Sequence, residues 1–126
     1  MTRKILFIED EVALQKSLLE RLLPEGIAVI QAVDGQAGLD LALKDHPDLI
    51  LLDIVLPKLD GIEFLKKLRQ DPWGKTAPVI ILTNLADNKR VAEAMGLDTF
   101  EYLLKKDWDI DEVAAKIHQK LKDRAA

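Results

Sequence analysis

The chain has 126 residues, of which 48% are hydrophobic and 32% are charged, so its composition suits one domain with a sizeable core. Its net charge of -4 argues against a nucleic-acid-binding surface, and the absence of cysteine excludes disulfides, thiol chemistry and cysteine-ligated zinc. The first apolar run is too short for a signal peptide or a membrane span. We therefore expect a cytoplasmic protein that is a single domain over residues 1–126, without a further output domain.

The first part of the chain alternates between apolar runs and amphipathic segments. Residues 5–8 are a continuous apolar run, which predicts a strand. Apolar residues at three- and four-residue spacing from Val12 onward predict a helix that ends at Pro24. Residues 27–30 predict a second, weaker strand, and residues 36–44 predict a short helix.

The rest of the chain repeats this alternation three times. The predicted strands are residues 49–53, 78–83 and 100–105. Asp60 is predicted to cap the helix after the first of them, Asp87 is predicted to begin the next helix, and the last helix is predicted to start within residues 107–111. Apolar runs without alternation are typical of strands that are buried on both faces. The pattern predicts an α/β fold, a doubly wound five-stranded parallel sheet with helices on both faces.

Polar side chains end several of these strands. Glu9 and Asp10 follow the first strand, Asp53 ends the third, Thr83 ends the fourth and Lys105 ends the fifth. In a doubly wound sheet the first and third strands are neighbours, so three carboxylates would converge at the carboxyl edge. Such a cluster is repulsive, and a hard divalent cation, magnesium first, would relieve the repulsion.

A site of this composition suits phosphoryl transfer. A carboxylate such as Asp53 can attack phosphorus and form an aspartyl phosphate. A cation would neutralise the phosphoryl oxygens, while the Lys105 ammonium and the Thr83 hydroxyl would bind them. The pair Glu9 and Asp10 alone is a weak indication of a phosphoryl-transfer site. The whole set, with a suitable polar group at each of these strand ends, is a strong indication.

Over essentially its whole length the chain resembles the receiver domains of two-component response regulators. The matching stretches are residues 5–11, 51–57, 60–61, 81–83 and 102–105, with Ile-Leu-Phe-Ile-Glu-Asp-Glu, Leu-Leu-Asp-Ile-Val-Leu-Pro, Asp-Gly, Ile-Leu-Thr and Tyr-Leu-Leu-Lys. The resemblance implies a flavodoxin-like sheet in the order 2-1-3-4-5 with five helices.

The resemblance also implies a cofactor and a phosphoryl donor. Asp53 would accept a phosphoryl group from the phosphohistidine of a sensor histidine kinase or a phosphotransfer protein. Asp10, Asp53 and the backbone carbonyl of Val55 would bind magnesium or manganese directly, and Glu9 would bind it through water.

A switch is implied as well. Thr83 and Lys105 would contact the phosphoryl oxygens, and Tyr102 occupies the position of a family aromatic that turns inward when Thr83 moves. Activation would reshape the face formed by the fourth helix, fifth strand and fifth helix, so that it binds a downstream protein. Trp108 is close to this face. No contact with nucleic acid or membrane is expected from this domain.

Three features depart from the family pattern. Lys106 follows Lys105 where the family carries a proline after a cis bond; because a cis bond without proline costs roughly 2.5–4 kcal/mol, either a strained bond or a different loop is expected. Residues 96–102 form a slightly long stretch, which predicts an unusual loop before the fifth strand. Asn84 is larger than the usual residue and would narrow access to the phosphoryl group.

Two positions that tune hydrolysis in the family, Val55 and Leu85, are apolar here and cannot orient an attacking water. We therefore expect slow self-dephosphorylation, in a phosphoacceptor rather than a conventional enzyme. A related aspartyl-phosphate hydrolase would need a general acid at the position of Val55. A pseudo-receiver, which binds proteins without phosphorylation, is the other alternative, and the intact acidic set disfavours it.

Structural roles are the alternatives for the single residues. Asp10 and Thr83 could cap helices, Lys105 could belong to a solvated lysine pair, and Tyr102 could pack in an edge strand. The two histidines, His46 and His118, have no partner at metal-ligand spacing and are interpreted as structural.

Overall fold

A computed structural model describes residues 3–99 and 101–125. One sheet of five parallel strands has the order β2-β1-β3-β4-β5, which confirms the predicted doubly wound α/β fold. The strands are β1 (Arg3–Ile8), β2 (Ile27–Ala32), β3 (Leu49–Leu52), β4 (Val79–Thr83) and β5 (Glu101–Leu104). The helices are α1 (Val12–Leu22), α2 (Gly35–Asp45), α3 (Gly61–Gln70), α4 (Asn88–Met95) and α5 (Ile110–Ala125).

The sheet separates two hydrophobic cores. Alternate residues of β1 point to opposite faces, so Leu6 and Ile8 pack with α2, α3 and α4, while Ile5 and Phe7 pack with α1 and α5. All four of these side chains are fully buried. The continuous apolar runs therefore have the cause expected from the sequence, since both faces of the central strands are covered by helices.

Aspartates determine where three of the helices begin. Asp34, Asp60 and Asp87 each accept a hydrogen bond from a backbone N–H in the first turn, at 2.8, 2.9 and 2.8 Å. The predicted cap at Asp60 is therefore confirmed. Asp87, which was predicted as the first residue of its helix, is instead the N-cap of α4.

The connection from β5 to α5 differs from the predicted boundaries. Lys105 was assigned to the fifth strand, but β5 ends at Leu104 and a 3₁₀ turn, Lys105–Asp107, follows. Of the alternatives stated for this loop, the structure has the different loop, since no peptide bond among the described residues is cis. The fifth helix begins at Ile110, within the predicted range of residues 107–111. Its start is closed by two reciprocal hydrogen bonds, from the Glu112 N–H to the Asp109 carboxylate at 2.8 Å and from the Asp109 N–H to the Glu112 carboxylate at 3.0 Å.

The loop between α4 and β5 is held by a half-buried arginine. Asp98 has a left-handed φ of 61°, and the Arg69 guanidinium donates hydrogen bonds to the carbonyls of Leu97 and Asp98 at 2.9 and 3.0 Å. The same side chain donates to the carbonyls of Gly74 and Ala77, which precede β4. Burial lowers the pKa of Arg69. The predicted unusual loop is thus bound to the amino-terminal edge of the sheet; Phe100, predicted to open the fifth strand, lies outside the described residues.

Glycine permits a close approach beside the predicted site. A Cβ atom on Gly61 would lie 2.6 Å from the Asp53 carbonyl oxygen, closer than real Cβ contacts come. The Gly61 N–H donates to the Ile54 carbonyl at 2.8 Å, which closes the loop between β3 and α3. No helix among the described residues has the length and apolar character needed to cross a bilayer.

Candidate functional site

A cleft of about 290 Å³ opens at the carboxyl edge of the sheet, where β1, β3, β4 and β5 end. Its lining includes the five polar side chains that the sequence predicted at the strand ends, together with three further residues. The lining residues are Glu9, Asp10, Glu11, Asp53, Val55, Thr83, Asn84 and Lys105. The predicted convergence of the strand ends is therefore confirmed.

Three carboxylates form the floor of this cleft. Oxygen atoms of Glu9, Asp10 and Asp53 all lie within 4.8 Å of one another, with Glu9 and Asp53 buried and Asp10 exposed. The Asp53 N–H donates to the Ile8 carbonyl at 3.0 Å, so the register between β1 and β3 sets the position of the acceptor carboxylate. Asp10 does not cap α1, because the N-cap residue of that helix is Glu11.

Gln15 is a supporting residue that the sequence analysis missed. Its buried amide nitrogen lies within hydrogen-bond distance of the carbonyls of Phe7, Glu9 and Ala32, at 2.9, 3.2 and 3.0 Å. These contacts tie the loop that carries Glu9 to the first turn of α1. Its sequence signal was only a polar residue within the apolar stripe of a helix, which is too common a feature to single it out.

Lys105 extends its ammonium group into the acidic cluster. Its Nζ atom lies 2.7 Å from Glu9 Oε1, 2.9 Å from Asp53 Oδ2 and 3.6 Å from Glu11 Oε2. Its side chain is 13% exposed, so the contacts form in a largely desolvated site. Lys105 therefore neutralises part of the charge that the two buried acids, Glu9 and Asp53, would otherwise carry without a partner.

Burial dominates the electrostatics of this cluster. Desolvation, with the nearby Asp53 charge, raises the pKa of Glu9 to about 7, although hydrogen bonds from Lys105 and the Glu11 N–H act in the opposite direction. Burial alone would lower the pKa of Lys105, but its hydrogen bonds to Glu9 and Asp53 outweigh burial and raise it. Glu9 therefore changes charge near neutral pH.

Replacing Glu9 with glutamine is expected to remove a pH dependence of stability. The pKa of Glu9 is raised from 4.5 to about 7 in the folded protein, so its protonated carboxyl group stabilises the folded state. This stabilisation is complete below about pH 4.5 and is lost as the pH rises toward about 7. In chelator, Glu9→Gln should therefore be more stable than wild type by about 1–3 kcal/mol at about pH 8, and equally stable at about pH 5. Urea unfolding at both pH values measures this difference. Glu20→Gln, on the exposed side of α1, is the control, and a less stable Glu9→Gln protein at the higher pH would contradict the expectation.

Thr83 and Tyr102 both contact the backbone of Leu85. The buried Thr83 hydroxyl accepts a hydrogen bond from the Leu85 N–H at 3.3 Å, and the Tyr102 hydroxyl donates to the Leu85 carbonyl at 2.6 Å. Burial raises the pKa of Tyr102, and so does the charge of Asp53. The loop after β4 is therefore hydrogen-bonded to residues of both β4 and β5. Tyr102 makes a specific hydrogen bond there, in addition to packing in an edge strand.

The remaining residues have partners away from the cleft. His46 stacks on Trp73 with ring centroids 4.3 Å apart, and His118 pairs with Glu25. Neither histidine lines the cleft, in agreement with their structural interpretation. Trp108 is half-buried against the core that includes α1 and α5, and the Lys116 ammonium lies 5.3 Å from its ring centroid.

The acidic floor fits a hard divalent cation. Three carboxylates offer oxygen ligands within 4.8 Å, and the exposed Asp10 leaves a side open to water. Magnesium keeps several waters and prefers carboxylate oxygen, which matches this donor set. The backbone carbonyl of Val55 remains a predicted ligand.

Comparisons with known proteins identify the family of this chain. The family model of the response regulator receiver domain matches residues 5–118 of the sequence. The response regulator ArlR of Staphylococcus aureus is 37% identical over 114 residues, which are 90% of this chain and 50% of ArlR. The chain thus spans about half the length of the curated relatives it matches.

Solved structures show the same fold. A CheY-like receiver domain protein from Methanospirillum hungatei superposes with a TM-score of 0.90 at 25% identity, over 99% of this chain and 98% of that one. The receiver domain of the sensor histidine kinase PA1611 from Pseudomonas aeruginosa, solved with a magnesium ion coordinated in its active site cleft, has a TM-score of 0.84 at 25% identity, over 97% and 99% of the two chains. With its fold, its strand-end residues and a family match over most of its length, the chain belongs to the family of response regulator receiver domains.

Proposed function

We propose that this protein is a phosphorylation-dependent signalling switch whose phosphoacceptor is Asp53. The observation that supports this most is the buried Asp53 carboxylate, which lies 2.9 Å from the Lys105 ammonium on a floor shared with Glu9 and Asp10. An attacking carboxylate and an incoming phosphoryl group both require nearby positive charge. The Lys105 ammonium supplies it on one side, and the acidic residues can hold a metal ion on the other.

The donor in this proposal is the phosphohistidine of a sensor histidine kinase or a phosphotransfer protein, in the cytoplasm. An oxygen of Asp53 forms the new bond to phosphorus as the bond between phosphorus and the imidazole nitrogen breaks, and the histidine leaves as neutral imidazole once that nitrogen is protonated. Lys105 transfers one of its contacts to a phosphoryl oxygen, and the Thr83 hydroxyl donates to another.

Asp10, Asp53 and the Val55 backbone carbonyl would hold magnesium or manganese, with Glu9 acting through water. Bound there, the metal would neutralise the charge that gathers on the phosphoryl oxygens. Ionised Glu9 favours this binding, so metal affinity should rise as the pH passes about 7. The chain catalyses only reactions of its own aspartate, because Val55 cannot act as the general acid that turnover of external substrates requires.

The output of the switch would begin at Leu85. When Thr83 turns its hydroxyl toward a phosphoryl oxygen, it gives up the hydrogen bond from the Leu85 N–H, and the Tyr102 hydroxyl is bound to the carbonyl of that same residue. Leu85 thus links Thr83, through its N–H, to Tyr102, through its carbonyl. Through them the change would reach the face formed by α4, β5 and α5, where we expect the downstream protein to bind.

The experiment is intact-mass spectrometry of the whole chain after incubation with acetyl phosphate or phosphoramidate. We expect a gain of one phosphoryl group, about 80 Da, that requires magnesium and is lost on treatment with hydroxylamine, which cleaves acyl phosphates. Chelator should prevent the gain. A folded protein that binds magnesium weakly or not at all and gains no mass would contradict the proposal and favour a pseudo-receiver, which acts through protein binding alone.

The phosphorylated form is expected to be long-lived, and Val55→Asn should shorten its lifetime. Val55 is 62% exposed at the mouth of the cleft and cannot hydrogen-bond to water, whereas an amide can orient a water for attack on phosphorus. One hydrogen bond of about 1 kcal/mol in the transition state predicts roughly fivefold faster hydrolysis. Decay of the added mass after removal of the donor measures this. Val55→Leu is the apolar control, and complete loss of the wild-type phosphoryl group within seconds would contradict slow hydrolysis.

A further inference from the structure

Glu11 lies at the mouth of the cleft and has no evident structural use for its carboxylate. It is the N-cap residue of α1, yet its side chain makes no capping hydrogen bond. Its side chain is 59% exposed, and its Oε2 atom lies 3.6 Å from Lys105 Nζ. The Glu11 N–H, by contrast, donates to Glu9 Oε2 at 3.0 Å, and a change of side chain leaves this bond in place.

The charge around the approach to Asp53 is strongly negative. Of the described residues that line the cleft, Glu9, Asp10, Glu11 and Asp53 carry carboxylates, and Lys105 carries an ammonium group. Three of the acids belong to the acceptor and the predicted metal set, so their charge is compensated when the site is loaded. Glu11 is outside that set and is bound to the same ammonium as Asp53, so its charge remains near the path of an incoming phosphoryl group.

We propose that Glu11 is a specificity-determining residue that disfavours small anionic phosphoryl donors relative to a phosphohistidine presented by a protein; the inference rests on the phosphoacceptor function proposed above. A free donor has few contacts with which to offset repulsion at the mouth. A protein donor buries a contact surface around the cleft, and the free energy of that contact offsets the same repulsion. Glu11 thereby protects the switch from phosphorylation by small metabolites.

Two small donors that differ in charge separate this effect from a general change in reactivity. Acetyl phosphate is a dianion near neutral pH and loses acetate as its phosphorus–oxygen bond breaks. Phosphoramidate carries one net negative charge and loses ammonia as its phosphorus–nitrogen bond breaks. In both cases the new bond joins phosphorus to an Asp53 oxygen, so the acceptor chemistry is the same. Coulomb repulsion from Glu11 is twice as large for the dianion.

The experiment compares phosphorylation rates of wild type, Glu11→Gln and Glu11→Lys with both donors, by intact mass in magnesium at low ionic strength. Glu11→Gln should accelerate phosphorylation by acetyl phosphate roughly three- to fivefold and phosphorylation by phosphoramidate roughly twofold, and Glu11→Lys should widen the difference. In roughly 0.5 M salt the ratio of variant to wild-type rate should approach unity for both donors, because screening removes the repulsion. Glu20→Gln and Glu20→Lys, which change the same charge farther along α1, are the matched controls.

Each possible result decides the inference. Equal acceleration with both donors would overturn it, since that result means Glu11 acts by holding Lys105 rather than by repelling the donor. Unchanged rates in both Glu11 variants would also overturn it. The inference is supported if the Glu11 variants are phosphorylated faster than wild type and the increase is larger with acetyl phosphate than with phosphoramidate. If no variant gains mass with either donor, the phosphoacceptor function itself fails and the inference fails with it.

Discussion

Replacing Asp53 with asparagine is expected to abolish phosphorylation of this protein, lowering the rate by a factor of roughly a thousand or more. The amide has the shape of the carboxylate but is not a nucleophile toward phosphorus. The buried position of Asp53 beside Glu9 also predicts that the variant folds, because asparagine removes a charge from a site where like charges repel. Intact mass after incubation with donor and magnesium measures the loss, and thermal unfolding tests the fold.

Asp40→Asn provides the matched control for this variant. It makes the same change of side chain on the exposed surface of α2, away from the cleft, and should be phosphorylated as wild type is. Phosphorylation of Asp53→Asn at the wild-type rate would mean that another carboxylate is the acceptor. The exposed Asp10 would then be the first residue to examine.

Replacing Lys105 with methionine is expected to have the second largest effect, and on two properties. In phosphoryl transfer it removes a donor aimed at the transferred group, for which a loss of roughly a hundred- to a thousandfold in rate is typical. In the metal-free protein it leaves Glu9 and Asp53 buried without the ammonium that lies 2.7 and 2.9 Å from them. Breaking a buried pair in this way costs several kcal/mol unless the remaining charge is relieved.

Here the relief comes from Glu9, whose pKa of about 7 lets it bind a proton. We therefore expect Lys105→Met to lose about 1–3 kcal/mol of stability at about pH 8 in chelator, and much less at about pH 5. Magnesium should restore most of the loss at the higher pH, because a divalent cation on the same floor compensates the same carboxylates. Urea unfolding with and without magnesium measures this recovery.

Lys106→Met is the control, since Lys106 is exposed and does not line the cleft. A Lys105→Met protein that is as stable as wild type in chelator at about pH 8 would show that the ammonium contributes little net stabilisation to the buried acids. Normal phosphorylation of that variant would contradict the role proposed for Lys105 in binding the phosphoryl group.

The sequence by itself determined the alternation of strands and helices and the position of the polar residues that end the strands. These features are local: continuous apolar runs mark strands covered on both faces, and an aspartate before an amphipathic segment marks a helix start. The convergence of Glu9, Asp10 and Asp53 followed from parallel strands, whose carboxyl ends meet at one edge. The strand order itself came from the family resemblance, since local pattern does not rank the neighbours of a strand.

The tertiary structure alone decided the electrostatics of the cleft. The Lys105 ammonium reaches Asp53 across 52 positions of sequence, and a sequence does not show which rotamer a long side chain adopts or how much water it excludes. The raised pKa of Glu9, the contacts of Gln15 and the exposed carboxylate of Glu11 all depend on such distant contacts. Residue types could therefore be assigned to the site from the sequence, but their burial and pairing, which set their chemistry, required the folded chain.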